Sequence, residues 1–339
     1  MRILLTGGAG FIGSALVRLL LDRGHQVRVL DALTYAGVLA SLDEVKHHPG
    51  YSFTRANIVD AEAVRAVFAD FQPQAVAHLA AETHVDRSIH GPAAFVQTNV
   101  LGTQVMLDAA LEQYRQLGAQ DQARYRFLHI STDEVFGALG PEGYFDETSP
   151  YDPRSPYAAS KAASDHLVRA WANSFGLPCL ISNCSNNYGP RQFPEKLIPH
   201  LILQALQGQL LPIYGDGSHV RDWLHVEDHA RALCQMLEEA RPGSTYCIGG
   251  GREMSNLELA HILCAHLDQM APRPDGRPHA AAIALVSDRP GHDWRYAIKS
   301  DRIHADLGWL PTAQFDEGLK QTVRWYLDNP DWWQPLLSR

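Results

Sequence analysis

The sequence lacks any long hydrophobic run. Met1–Arg2 leads straight into Ile3–Leu4–Leu5, a stretch too short to cross a bilayer, so neither a membrane span nor a secretory leader is expected. It also lacks a basic run, and its formal net charge is −9, which argues against nucleic acid or an anionic membrane as partner. Cysteine is scarce. Cys179, Cys184, Cys234, Cys247 and Cys264 form no CxxC pair and are expected to be reduced thiols of a cytoplasmic protein. The 17 histidines include no HExxH and no tight His/Cys cluster along the chain, so no metal is expected. Internal repeats are absent, and Pro272–Pro278 is the only mildly biased stretch, expected as a surface loop. What remains is an ordinary globular composition, 45% hydrophobic and 20% charged over 339 residues, with ample material for a core.

The first half of the chain alternates strand and helix. Strands are predicted at Ile3–Thr6, Gln26–Leu30 (closing on Asp31), Tyr51–Arg55, Ala75–Leu79, Phe127–Ser131 and Cys179–Asn183. Helices are predicted at Ser14–Arg23, stopped by Gly24, and at Ala61–Phe71, Ala93–Leu117 and Tyr157–Phe175. This rhythm implies an α/β fold of the Rossmann type, a doubly wound parallel sheet with helices on both faces. After about residue 185 proline and glycine become dense, as in Gly189–Pro190, Pro194, Pro199, Pro212, Gly215 and Gly217. A second loop-rich stretch covers Ala271–His292. The expected division is residues 1–185, with returns at about 221–250 and 294–304, as the Rossmann domain. Residues of about 186–220, 251–293 and 305–339 then form a smaller mixed α/β lobe over the carboxyl edge of the sheet, where open α/β sheets bind ligands.

Gly7, Gly10 and Gly13 follow a strand and open a helix, and an acid, Asp31, comes about 20 residues on. Gly7 permits the tight turn, Gly10 lets a pyrophosphate approach the backbone, and Gly13 allows close helix–strand packing. The helix N-terminus adds N–H donors and a positive dipole end. Asp31 at the end of the second strand would accept from a ribose 2′-hydroxyl and repel a 2′-phosphate, which points to NAD over NADP. The alternative for Asp31 is a helix or turn cap.

Tyr157 and Lys161 stand at i and i+4 of a predicted helix and so face the same way. The lysine charge, with a cationic nicotinamide nearby, would hold the phenol down. Bringing a tyrosine from ~10 to ~7 takes roughly 4 kcal/mol. Upstream, Ser131–Thr132–Asp133–Glu134 offers a hydroxyl, a candidate acid and a candidate base at the end of the fifth strand. Two adjacent carboxylates beside a catalytic tyrosine are an electrostatic cost that needs a reason, unless they merely cap a helix. This many proton-transfer groups suggests more than simple hydride transfer.

On these residues the chain resembles the dTDP-glucose 4,6-dehydratases of the extended short-chain dehydrogenase/reductase superfamily. The GxxGxxG spacing suits that superfamily. The likeness runs through TGGAGFIGS (Thr6–Ser14), LTYAG (Leu33–Gly37), HLAAETHVDRS (His78–Ser88), STDEVFG (Ser131–Gly137) and SPYAASKAASDHLVRAW (Ser155–Trp171). It continues in NCSNNYGP (Asn183–Pro190), FPEKLIP (Phe193–Pro199), RDWLHVEDHARA (Arg221–Ala232) and DRPGHDWRYAI (Asp288–Ile298). The resemblance implies that the Thr–Asp–Glu triplet separates this chain from 4-epimerases and decarboxylases. It implies that Tyr157 takes the proton of the sugar 4-hydroxyl as hydride leaves C4 for NAD⁺. Glu134 then removes the C5 proton, Asp133 protonates the departing 6-hydroxyl, and hydride returns to C6. NAD is regenerated in each turnover and should stay tightly bound. The smaller lobe would bind the nucleotide sugar.

By the same resemblance Gly7, Gly10, Phe11, Ile12, Gly13, Asp31, Ala32, Leu33, Thr34, Asn57, Ile58, Leu79, Ala80, Ala81, Thr98, Tyr157, Lys161 and Asn187 hold NAD. Thr83, Thr132, Asn186, Lys196, Leu197, Pro212, Tyr214, Arg221, Asn256, Arg289 and His292 hold dTDP-glucose. Arginines suit a diphosphate, and Tyr214 could stack on thymine or be a core tyrosine. Four positions depart from the family pattern: Asn57 for Asp, Phe136 for Tyr, Trp294 for Arg and Lys299 for Asp. The closest alternatives are 4,6-dehydratases of UDP-, CDP- or GDP-sugars. A 4-epimerase would have no use for Asp133–Glu134, and a non-enzymatic binding protein none for the whole set. A homodimer is expected, because helices 93–117 and 157–175 carry apolar residues on more than one face: Phe95, Val96, Val100, Leu101, Val105, Met106 and Leu107 on the first, and Leu167, Val168, Trp171 and Phe175 on the second.

Overall fold

Both faces of the first strands are apolar, and that decides the architecture. In the computed structural model, which describes residues 1–337, β1 (Arg2–Thr6) turns Ile3 and Leu5 to one layer of helices and Leu4 to the other, all three fully buried. A strand buried on both faces belongs inside a parallel sheet. Six more join it: β2 (Gln26–Asp31), β3 (Tyr51–Arg55), β4 (Ala75–His78), β5 (Arg126–Thr132), β6 (Cys179–Cys184) and, after three strands elsewhere, β10 (Thr245–Ile248). Their order is β10-β6-β5-β4-β1-β2-β3, and every neighbouring pair is parallel. The order reverses between β1 and β4, which opens a crevice at their carboxyl ends.

Helices Phe11–Asp22 and Val226–Glu239 cover one face of this sheet. Helices Ala61–Phe71, Thr103–Gln116 and Pro156–Phe175 cover the other. Beyond β6 the chain builds two small sheets. One has the order β11-β9-β7, from β7 (Asn186–Tyr188), β9 (Val220–His225) and β11 (Glu253–Ser255). The other pairs β8 (Leu211–Tyr214) with β12 (Ile283–Val286) in parallel. Helices Leu197–Leu206, Asn256–Met270 and Phe315–Asp328 close a separate apolar core around Tyr188, Leu201, Leu263 and Tyr326.

The predicted helix 93–117 is not continuous. It runs as Pro92–Phe95, a π-helical stretch Val96–Gly102, and Thr103–Gln116. Gly102 lies against Ile58, where a Cβ would meet Ile58 Cδ1 at 2.5 Å. Thr103 Oγ1 donates back to Asn99 O at 2.6 Å. The wider turn carries Asn99 inward, where its amide accepts from Glu82 N (2.8 Å) and donates to Ser160 Oγ (2.8 Å). Wide turns of this kind gather at functional sites.

Candidate active site

The crevice is a cavity of about 320 Å³ that runs from the Gly7–Gly13 turn, over the ends of β1, β4 and β5, to Lys196. The turn is shaped for a close approach. Gly7 has φ +71°, and a Cβ there would stand 2.7 Å from Ala80 N. A Cβ on Gly13 would stand 2.2 Å from Gly7 O. The helix that follows has Gly10 as N-cap with no side-chain cap bond, so its first N–H groups face the cavity uncapped by any side chain. Asp31 is 7% exposed, with Oδ2 accepting from Ala9 N at 2.9 Å and Oδ1 from Leu33 N at 2.8 Å. Burial raises the Asp31 carboxyl, and the two N–H groups oppose that rise. A turn that only glycine can form, donors at a helix start and a fixed acid at the second strand's end fit a dinucleotide.

Of the residues predicted for the cofactor, Gly7, Gly10, Phe11, Ile12, Gly13, Asp31, Ala32, Thr34, Asn57, Ile58, Leu79, Ala80, Ala81, Thr98, Tyr157, Lys161 and Asn187 line this cavity. Leu33 does not. It sits at φ 54° with its side chain on the apolar core below, and its N–H serves to hold Asp31. Asn57, one of the departures from the family pattern, accepts from Val59 N at 3.2 Å.

The proton-transfer groups meet at the end of β5. Ser155 caps the tyrosine helix by accepting from Ala158 N at 3.1 Å. Phe95 packs edge-on against the Tyr157 ring at 6.4 Å. Thr132 Oγ1 donates to Asp133 Oδ1 at 3.2 Å and accepts from Glu134 N at 3.3 Å. Asn183 Nδ2 fixes the strand end through Thr132 O at 3.1 Å. Thr132, Glu134, Tyr157 and Lys161 line the cavity, and Asp133 lies just behind, 2% exposed.

The two carboxylates differ in kind. Burial pushes Asp133 well above the ordinary carboxylate range, and the charges of Glu134 and Asp222 push it further. Glu134 is also raised by burial, but the cations Arg289, Arg221 and Lys196 pull it back. Such a split suits Asp133 to hold a proton and Glu134 to accept one. The expected lowering of Tyr157 by Lys161 is a correction. Burial and the Glu134 charge raise the phenol well above its ordinary value, and the Thr132 hydroxyl opposes the rise. The lysine ammonium donates to Ile130 O at 2.8 Å, so its hydrogen bond goes to the strand and not to the phenol.

The predicted substrate residues fall into two groups. Thr83, Thr132, Asn186 and Lys196 line the cavity, with Lys196 Nζ donating to Thr83 O at 3.0 Å. Leu197 begins the helix behind Lys196, and Pro212 lies on β8. Tyr214 and Arg289 share Asp86, each at 3.1 Å. Arg221 is held by the backbone oxygens of Val220, Asp293 and Trp294. Asn256 opens its helix with Oδ1 buried and without a protein partner. His292 stacks on His219 with ring centroids 3.7 Å apart, and both imidazoles bond Asp288. Asp288 and His292 are four residues apart along the chain, whereas His219 comes from a distant segment, so the cluster is not visible in the sequence. Phe136, Trp294 and Lys299 stand outside the cavity lining. Phe136 is buried against Phe145 and Tyr151. Trp294 is 39% exposed, and nothing in the structure explains its substitution.

Sequence reasoning missed Glu82, Gln192, Phe193 and Glu195, which also line the cavity. Both carboxylate oxygens of Glu195 are buried without a hydrogen bond, 3.4 Å at nearest from His84 and Arg87. Its place beside Lys196 in the FPEKLIP segment was the available signal.

Residues 4–322 match the family described as GDP-mannose 4,6 dehydratase. A probable dTDP-glucose 4,6-dehydratase of Sinorhizobium fredii is 54% identical over 100% of this chain and 96% of that protein. The dTDP-glucose 4,6-dehydratase of Neisseria meningitidis is 53% identical over 99% of this chain and 96% of its own length. Among solved structures, DesIV from Streptomyces venezuelae, a dTDP-glucose 4,6-dehydratase crystallised with NAD and dTDP, superposes with a TM-score of 0.90. It is 44% identical, with 99% of this chain and 100% of that chain covered.

Proposed function

We infer the activity of this chain from its family, for it belongs to the dTDP-glucose 4,6-dehydratases: it converts dTDP-glucose to dTDP-4-keto-6-deoxyglucose and water as an NAD-dependent carbon–oxygen lyase. The observation that carries this is the full-length identity to dehydratases of that name, joined to a buried Asp133 and a cation-facing Glu134 beside Tyr157. The second reading, a GDP-linked sugar, has only the wider family description in its favour.

NAD, when bound, accepts and later returns two electrons and brings a positive ring charge. The rest falls to the chain. Tyr157 takes the proton of the 4-hydroxyl, and Thr132 orients that hydroxyl. Once C4 is a ketone the C5 proton is acidic, and Glu134 removes it. Asp133, kept neutral by burial, gives its proton to the departing 6-hydroxyl. As hydride reaches C6, Glu134 gives a proton back to C5, O4 stays a ketone, and the proton held by Tyr157 passes to solvent, from which Asp133 is reprotonated. Lys196, Arg221 and Arg289 hold the diphosphate and keep Glu134 ionised in the same act. Turnover of dTDP-, UDP-, CDP- and GDP-glucose by the purified protein tests the reading. The value of kcat/KM for dTDP-glucose should exceed that for UDP-glucose by about tenfold or more. Equal or faster use of UDP-glucose would overturn the nucleotide assignment.

Asp31 is read as the ribose acceptor. Asn in its place cannot accept two backbone N–H groups and a ribose hydroxyl as an anion does. The loss expected is about 2 kcal/mol, or about thirtyfold in NAD affinity, with narrower discrimination against NADP. Calorimetric titration of the stripped protein checks it.

We read residues 1–185, with returns at about 221–250 and 294–304, as one lobe and the rest as the nucleotide-sugar lobe. In support, Val226–Glu239, β10 and Ile303 share the core of the large sheet, whereas β9 belongs to the three-stranded sheet. The protein acts in the cytoplasm, a reading supported by five buried cysteines, none of them in a disulfide. Its homodimer forms through Val96, Leu101 and Phe175, which stay 56%, 46% and 46% exposed on adjacent helices. Val96→Asp with Leu101→Asp is expected to convert a dimer into a monomer in light scattering and to lose activity, because the tyrosine helix lies in the contact. An active wild-type monomer at micromolar concentration would refute the dimer.

A further inference from the structure

Behind the tyrosine helix lies a polar layer that the chemistry above does not use. We propose that Asp165 is a positioning residue for the Tyr157–Lys161 pair, a buried counter-ion that fixes the charge and place of Lys161 through the shared His129 Nε2. The inference rests on the reading that Tyr157 and Lys161 serve the first oxidation.

Asp165 stands one turn beyond Lys161 on the same helix and is 0% exposed. Its Oδ2 accepts from Ser131 Oγ (2.8 Å) and Tyr151 OH (2.8 Å), with Asn183 Nδ2 at 3.4 Å. Its Oδ1 lies 3.2 Å from His129 Nε2 and has no hydrogen-bond partner of proper geometry. The same His129 Nε2 is 3.4 Å from Lys161 Nζ and 3.2 Å from Ser164 Oγ. Lys161 is 5% exposed and, among the described residues, makes no direct ion pair. A buried ammonium and a buried carboxylate are each costly alone and are kept only where one offsets the other.

The surroundings leave Asp165 that task. Burial brings Lys161 down to about 8, and the Asp165 charge opposes the fall. Burial alone would raise Asp165, yet His129, Lys161 and Tyr151 together bring it below its ordinary value, so it is anionic. From β5, His129 is neutral, held down to about 4 by burial. From β4, His78 is held well down by burial and by His129 and Lys161. From β6, the Cys184 thiol is pushed up to about 12 by burial. On the helix itself Arg169 donates to Tyr151 OH at 2.8 Å, and its charge also opposes protonation of His129. The remaining acids near Tyr157 are Asp133 and Glu134, whose charges raise the phenol.

Asp165→Asn in the full chain keeps the size and removes the charge. The pH profile of single-turnover C4 oxidation should show its alkaline limb moved to lower pH by about one unit, since Lys161 then loses its proton earlier. At pH values above the new limb the rate falls about tenfold relative to wild type. A lower rate with an unmoved limb would overturn the proposal, because a merely structural role scales the profile without shifting it. A stability cycle with Lys161→Met reads the same coupling without substrate. Asp165→Asn should lower the urea midpoint of the wild type but leave unchanged or raise that of Lys161→Met, where it relieves a lone carboxylate. Equal cost in both backgrounds overturns the proposal. If Asp165→Asn alone does not fold, folding of the double variant supports the coupling and its failure to fold refutes it. Should wild type oxidise no nucleotide sugar, the functional reading fails while the stability cycle still tests the pair.

Discussion

Glu134→Gln is expected to stop turnover at the middle of the reaction. The loss of the C5 base should cost about 10²–10⁴-fold in kcat, while the first oxidation keeps a rate within a factor of a few of wild type. The two steps draw on different groups. In the proposed mechanism oxidation uses Tyr157 and Lys161, and elimination uses the Glu134 carboxylate, which Lys196, Arg221 and Arg289 pull toward its ionised form. Glutamine keeps the shape and cannot take a proton. In a single turnover the near-ultraviolet absorbance of reduced nicotinamide should therefore rise and persist. Exchange of the C5 hydrogen with deuterated solvent should disappear in the recovered sugar. Exchange at the wild-type rate would mean that another group is the base, and Glu195 would be the first to examine, since its carboxylate lines the same cavity without a hydrogen bond.

Tyr157→Phe is expected to fail one step earlier. It removes the hydroxyl and leaves the ring against Phe95, so folding should be unaffected. The rate should fall about 10²–10⁴-fold, with no burst of reduced nicotinamide. The contrast with Glu134→Gln is the informative part. The phenol is raised by burial and by Glu134, so the base form must be won from the positive charge delivered with the cofactor. A burst of normal size in Tyr157→Phe would move the first proton transfer to Thr132 or to solvent.

Much of this site was legible in the sequence because its parts are local. The glycine turn, Asp31 and the Tyr157–Lys161 spacing each occupy one strand–helix junction, where period and turn chemistry speak directly. Tyr51–Arg55 and Ala61–Phe71 were readable to the residue for the same reason. The π-helical turn at Val96–Gly102 was not, because an apolar period of three to four residues looks alike in either helix. What forces the wide turn is remote: Ile58 against Gly102, and Glu82 and Ser160 on Asn99. The pairing of His219 and His292 through Asp288 was hidden for the same reason. The error over Tyr157 has a different source. Spacing shows that a lysine faces a tyrosine, but burial and the bond from Lys161 to Ile130 O decide what the lysine does there.

The central claim is that one site oxidises C4, eliminates across C5 and C6, and returns the same hydride to C6. It is tested most directly with dTDP-glucose carrying deuterium at C4. Nuclear magnetic resonance of the product should find that deuterium in the C6 methyl group, with a solvent hydrogen at C5 and no net change in the bound cofactor. Deuterium lost to solvent, or retained at C4 of an epimerised hexose, would contradict the account.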